Sequence, residues 1–152
     1  MSEGGRPDAI ADIDQALIRL RRLLEPPAVV DDPAGPVETS TILVVNAVAD
    51  GPLTVTAVAA ALSVTHSTAS RLISRAVAHG AVRKQAAADD RRETLIEITA
   101  AGAALHQRAR AFRHAMLERL LAAFTPEQRA QFATLLSMFA DATRKQPPPP
   151  ED

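Results

Sequence analysis

Residues 53–99 read LTVTAVAAALSVTHSTASRLISRAVAHGAVRKQAAADDRRETLIEIT, and their punctuation decides the fold. Thr54 or Thr56 can cap a short helix ending near Leu62, and Thr65 can cap a second that runs to His79 before Gly80. Only Ser63 and Val64 separate them. Two short helices joined so tightly make a helix-turn-helix unit, with a small core expected from Val58, Ala59, Leu62, Val64, Ala69, Leu72, Ile73 and Val77. Ala81-Val82-Arg83-Lys84-Gln85 and Thr94-Leu95-Ile96-Glu97-Ile98 then read as two strands of a hairpin around the polar tip Asp89-Asp90-Arg91-Arg92.

Helical patterns flank this centre on both sides. Asp8 can start a helix in which Ile10, Ile13, Leu17, Leu20 and Leu24 fall at alternating spacings of 3 and 4, a coiled-coil-like seam. Glu25-Pro26-Pro27 ends it, and the run to Pro36, with Asp31-Asp32-Pro33 and Gly35-Pro36, is expected to be a loop. A largely apolar helix over 37–49 follows, stopped by Asp50-Gly51-Pro52. Beyond the hairpin, one helix is expected over 99–124 and another from Pro126, at a first-turn position, to Lys145. The tail 147–152 is proline-rich and expected to be extended or disordered.

The expected fold is mainly α with a small β-hairpin wing: a winged helix-turn-helix between N- and C-terminal dimerisation helices. One structural domain divides into 1–36 (dimerisation helix and loop), 37–99 (winged helix-turn-helix lobe), 100–145 (dimerisation helices) and 146–152 (tail). A homodimer is expected because the terminal helices carry apolar stripes, Leu105, Phe112, Met116, Leu120 and Phe124, then Phe132, Leu135, Leu136 and Phe139. The sequence holds no third layer to cover them.

Composition narrows the function. The 152 residues are 47% hydrophobic and 23% charged, an ordinary domain composition. With no cysteine, thiol catalysis, cysteine redox switching and Cys-based metal sites are excluded. The uncharged window 51–70 holds Thr54, Thr56, Ser63, Thr65, His66, Ser67, Thr68 and Ser70, too polar for a membrane span. MSEGGRPDAI lacks the basic and then apolar run of a signal peptide, so a cytoplasmic location is expected. The formal charge of −1 conceals an uneven distribution: residues 1–60 carry 4 basic and 9 acidic side chains, 61–92 carry 6 and 2, and 93–152 carry 7 and 7. A positive stretch confined to the middle is the electrostatic footprint of a nucleic-acid surface.

No catalytic or cofactor signature competes with that reading. The chain lacks a Gly-rich phosphate loop, Gly-x-Ser-x-Gly and His-Glu-x-x-His. His106 and His114 are eight residues apart on one helix, about 12 Å along its axis and too far to share a metal. His79 suits a helix C-terminus. No enzyme activity, metal or cofactor is expected.

The major groove of duplex DNA is about 12 Å wide and admits one helix, whose N-terminal side chains reach base edges. Those side chains would be His66, Ser67, Thr68, Ser70 and Arg71, with Arg71 able to make a forked pair of hydrogen bonds to guanine. Arg75, one turn later, and Arg83 or Lys84 at the base of the hairpin suit phosphate, which positions the protein without reading sequence. Arg91 and Arg92 at the hairpin tip could enter a minor groove, where narrow A·T-rich segments concentrate negative potential.

The turn Leu62-Ser63-Val64-Thr65, the run Ser67-Thr68-Ala69-Ser70-Arg71-Leu72, and Asp90-Arg91-Arg92 followed by Leu95, Ile98 and Thr99 resemble, in order and spacing, the winged helix-turn-helix of the MarR family of transcription regulators. The resemblance is sharp in this middle third and extends more loosely over about residues 8–145. Ser63 stands where a glycine is usual, Ala60 and Ala61 replace commonly charged positions, and Ala86-Ala87-Ala88 replaces a wing that usually contains proline. The resemblance implies that Asp90 holds an arginine of the wing tip in place. It also implies a homodimeric repressor on a pseudo-palindromic operator in double-stranded DNA, released by a small aromatic or phenolic effector bound between the dimerisation helices and the DNA-binding lobe. Two alternatives are an architectural DNA binder without effector and a protein-interaction module that has lost DNA binding.

Overall fold

The computed structural model describes residues 8–24, 29–86 and 94–145. The chain divides into two compact units, Met1–Gln107 and Arg108–Asp152. The elements are α1 (Ala9–Leu24), β1 (Val29–Asp32), β2 (Gly35–Glu38), α2 (Thr39–Ala47), β3 (Leu53–Thr54), α3 (Val55–Leu62), α4 (His66–Ala78), β4 (Val82–Ala86), β5 (Thr94–Ile98), α5 (Ala100–Leu120) and α6 (Pro126–Lys145). No helix among the described residues is long and apolar enough to cross a membrane.

Side-chain capping marks the described helix starts except that of α2, where Glu38 makes no cap hydrogen bond. The Asp8 carboxylate accepts from the backbone N–H of Ile10 (3.1 Å) and Ala11 (3.3 Å) at the head of α1, and Thr54 Oγ1 accepts from Ala57 N (3.1 Å) at the head of α3. Thr125 and Gln128 cap α6 reciprocally: Gln128 N donates to Thr125 Oγ1 (3.3 Å) and Thr125 N to Gln128 Oε1 (2.9 Å). Each bond satisfies an amide the first turn leaves orphaned. In that same turn, hydrogen bonds from its own backbone and from Thr125 hold the Glu127 carboxyl below its ordinary range.

Helix ends are equally specific. After α4, Gly80 N donates to Val77 O (2.9 Å) and Ala81 N to Ala76 O (3.0 Å), with Gly80 at φ +78°. After α3 the same pair of bonds recurs, Ser63 N to Ala60 O (3.1 Å) and Val64 N to Ala59 O (3.0 Å), with Ser63 at φ +53°. Both are Schellman endings, which need a left-handed residue; α4 supplies a glycine and α3 does not.

Two sheets complete the frame. In the three-stranded sheet, of order β3-β5-β4, the hairpin pairs Val82 with Ile98 through Ala86 with Thr94, and Leu53 opposes Ile96 on the other side of β5. The core, Val37, Val44, Val45, Val48, Val58, Ile73, Ala76, Ala81, Val82, Ile96 and Leu105, lies where α2, α3 and α4 meet this sheet and the first turns of α5. Burying a Val or Ile side chain contributes about 1.5–3 kcal/mol, so this cluster holds the helix-turn-helix rigid.

The structure corrects several expectations. Residues 29–38 are a hairpin, not a loop, with Val30 opposite Val37 and a turn at Pro33-Ala34 in which Ala34 N donates to Asp32 Oδ1 (2.9 Å). Val37 anchors it in the core. The apolar helix begins two residues later than read, at Thr39, because β2 occupies 35–38. Val77 is 37% exposed, off the face formed by Ala69, Ile73 and Ala76. Helix α5 ends at Leu120 rather than near Phe124; Leu121 O there accepts from Arg129 Nε (3.1 Å), and the Phe124 and Phe132 rings pack 6.3 Å apart.

Candidate nucleic-acid interface

The exposed stripe of α4 is built by what its other side must do. Ala69, Ile73 and Ala76 are buried, which turns His66, Ser67, Arg71, Ser74 and Arg75 outward and leaves Thr68 and Ser70 half-buried at the margin. Thr65 caps the helix: its Oγ1 accepts from Thr68 N (3.3 Å) and donates to Thr68 Oγ1 (3.0 Å), with Ser67 Oγ 3.1 Å away. Arg71 Nη2 in turn donates to Thr68 Oγ1 (3.3 Å). The result is a tight group of hydroxyls at a helix N-terminus with one guanidinium tied to it. Backbone amides and hydroxyls of this kind attract phosphate or base acceptors, and the short side chains allow close approach.

The basic residues farther out differ in their partners. Arg75 Nη1 lies 3.2 Å from Glu38 Oε2, whose carboxylate also accepts from Ser40 Oγ (3.0 Å). Arg83 and Glu97 are directly opposed across β4 and β5, and Arg83 Nε (2.9 Å) and Nη2 (2.7 Å) both reach Glu97 Oε2. Among the described residues, neither Arg71 nor Lys84 has a carboxylate partner. Adjacent positions on a strand point to opposite faces, so Arg83 and Lys84 do not share a face of the hairpin. Asp90, Arg91 and Arg92 lie outside the described residues.

Sequence reasoning did not find Glu38 or Glu97, because both partners are set by tertiary pairing; Glu38 stands 37 positions from Arg75. It also passed over Gly102. This glycine is buried at the start of α5, where a Cβ would run into the carbonyl oxygen of Ala81. Thr99 closes the same joint: its Oγ1 donates to Gly80 O (2.7 Å) and accepts from Gly102 N (3.0 Å), and its N–H donates to Ala81 O (3.1 Å). The end of α4, the start of β4 and the start of α5 are thus tied at one point. Half-buried His106 Nδ1 meets Asn46 Oδ1 at 2.9 Å, joining α5 to α2.

A tight helix pair followed by a hairpin packed on it defines the winged helix-turn-helix class. Residues 37–93 match the model of the MarR family. The wider fold agrees. A MarR family protein from Bacillus stearothermophilus is 18% identical at a TM-score of 0.70, with 93% of this chain and 100% of that one covered. The PcaV transcriptional regulator of Streptomyces coelicolor, solved with its natural ligand, is 24% identical at a TM-score of 0.64, covering 94% and 99%. Bordetella bronchiseptica BpsR, whose DNA binding is regulated by 6-hydroxynicotinic acid, is 19% identical at a TM-score of 0.58, covering 87% and 96%. A search of curated proteins by sequence finds no match.

Proposed function

We propose that this chain is a transcription regulator of the MarR type, acting in the cytoplasm as a homodimer and repressing from a pseudo-palindromic operator. The observation that carries the reading is the division of α4 into a buried face and an exposed stripe of hydroxyls and arginines, headed by the N-terminus that Thr65 caps. In this reading His66, Ser67, Thr68, Ser70 and Arg71 face bases, Arg71 reads guanine, Arg75 meets phosphate, and so does Arg83 or Lys84. Asp90, Arg91 and Arg92 act at the wing tip. Residues 37–99 form the DNA-binding lobe, with 1–36 and 100–145 serving dimerisation.

Support for the dimer comes from apolar side chains that one chain leaves in water: Ile10 is 74% exposed on α1, Phe112 63% on α5 and Leu135 64% on α6. Apolar stripes on three helices are the surface a second copy would cover. The natural ligand bound to PcaV and the regulation of BpsR by 6-hydroxynicotinic acid, an aromatic acid, support a small aromatic or phenolic effector here.

Fluorescence anisotropy with the chain's own upstream DNA, titrated at several salt concentrations, tests the reading. Phosphate-contacting binding falls linearly in log affinity against log salt. Equal affinity for upstream and scrambled duplex, or none for either, would reject sequence-specific regulation. Sedimentation of a monomer at micromolar concentration would reject the dimer.

A further inference from the structure

Two of the cations suited to phosphate are already occupied by carboxylates of the chain, and the cation suited to a base is not. Arg75 and Glu38 meet at 3.2 Å with side chains 58% and 48% exposed, so the pair sits in solvent where an incoming phosphate could reach it. Glu38 is itself steadied by Ser40. Arg83 presents two N–H groups to one oxygen of Glu97, a charge-assisted contact, while its own side chain is 63% exposed. Arg71 instead keeps a neutral hydroxyl partner.

We propose that Glu38 and Glu97 act as in-chain phosphate substitutes: off DNA they hold Arg75 and Arg83, and so lower affinity for duplex of arbitrary sequence. The inference rests on the DNA-binding reading above. An arginine held in this way must leave its carboxylate before it neutralises a phosphate, and the abandoned carboxylate then faces the polyanion. The gain per contact shrinks, and the carboxylate's repulsion opposes the contact. Base reading through Arg71 pays no such penalty, so the ratio of specific to non-specific binding rises. Selectivity against bulk DNA, rather than raw affinity, is what a regulator needs.

Glu38→Gln and Glu97→Gln test this with scrambled and upstream duplexes between about 50 and 200 mM salt. Exposed ion pairs of this kind set the scale at roughly two- to five-fold per substitution. The expected result is tighter binding to scrambled duplex by that factor, a salt slope steeper by about one unit per released arginine, and a smaller preference for upstream DNA. Glu118→Gln, which removes an exposed carboxylate from α5, is the control for net charge. Unchanged or weaker binding to scrambled duplex would overturn the inference and leave the function standing, as would an equal gain from Glu118→Gln. Loss of folding in either glutamine variant would count against it too, since the carboxylate would then be structural. Absence of salt-dependent binding by the unmodified chain would remove the DNA-binding reading and this inference together.

Discussion

Gly102→Ala pits two effects against each other. In an exposed helix the change to alanine would stabilise by about 1 kcal/mol. Here the new Cβ would meet the Ala81 carbonyl oxygen, with the Ala81 carbonyl carbon at 2.9 Å and Ile98 Cγ1 at 3.0 Å. The oxygen cannot step aside cheaply, because it accepts from Thr99 N at 3.1 Å. Overpacking a fitted site costs about 1–3 kcal/mol, and loosening that hydrogen bond adds about 1 kcal/mol. Set against the propensity gain, the net destabilisation is about 1–3 kcal/mol, a fall in melting temperature of roughly 3–10 °C for a chain of this size. Urea unfolding followed by circular dichroism, at matched protein concentration, measures it; Ala104→Gly, at an exposed position of the same helix, gives the local propensity scale. A Gly102→Ala chain more stable than the original would show that α5 does not rest on Ala81 and that this joint is misread.

Ser63→Gly should act in the opposite direction, raising stability by about 1 kcal/mol and the melting temperature by roughly 2–4 °C, because φ +53° suits glycine and costs a residue with a side chain; calorimetry of the two chains checks it. At the wing, Asp90→Ala should weaken operator binding although it removes a negative charge from beside phosphate, and a double-mutant cycle with Arg92→Ala should give non-additive losses; a gain, or simple addition, would leave Asp90 no role in holding Arg92. The depressed Glu127 carboxyl contributes stability that is present above its unfolded pKa and lost as pH falls through the lower folded value. Acid titration of thermal stability should accordingly show a step that Glu127→Gln abolishes.

Helix boundaries were legible in the sequence wherever capping chemistry is local. Thr54, Thr65 and Pro126 mark starts that the structure keeps, and the exposed stripe of α4 follows from helical period alone. The hairpin at 29–38 was hidden because its strands are four residues each, carry Pro36, and are fixed by burying Val37 rather than by their own pattern. Strand β3 is two residues long and exists through its pairing with β5. The same holds for the candidate site. Residue types on the recognition helix announce themselves, whereas partners such as Glu38, Glu97 and the Asn46 facing His106 depend on contacts between segments distant in sequence.

In the proposed function α4 reads DNA through Arg71. Anisotropy with upstream and scrambled duplex, for the unmodified chain and for Arg71→Ala at one salt and one protein concentration, tests this directly. Loss of a forked base contact costs about 1–3 kcal/mol per half-site, so the variant should lose the preference for upstream DNA while keeping weak, salt-dependent binding to both duplexes. An Arg71→Ala chain that discriminates between the two as well as the unmodified protein does would show that Arg71 does not read the operator.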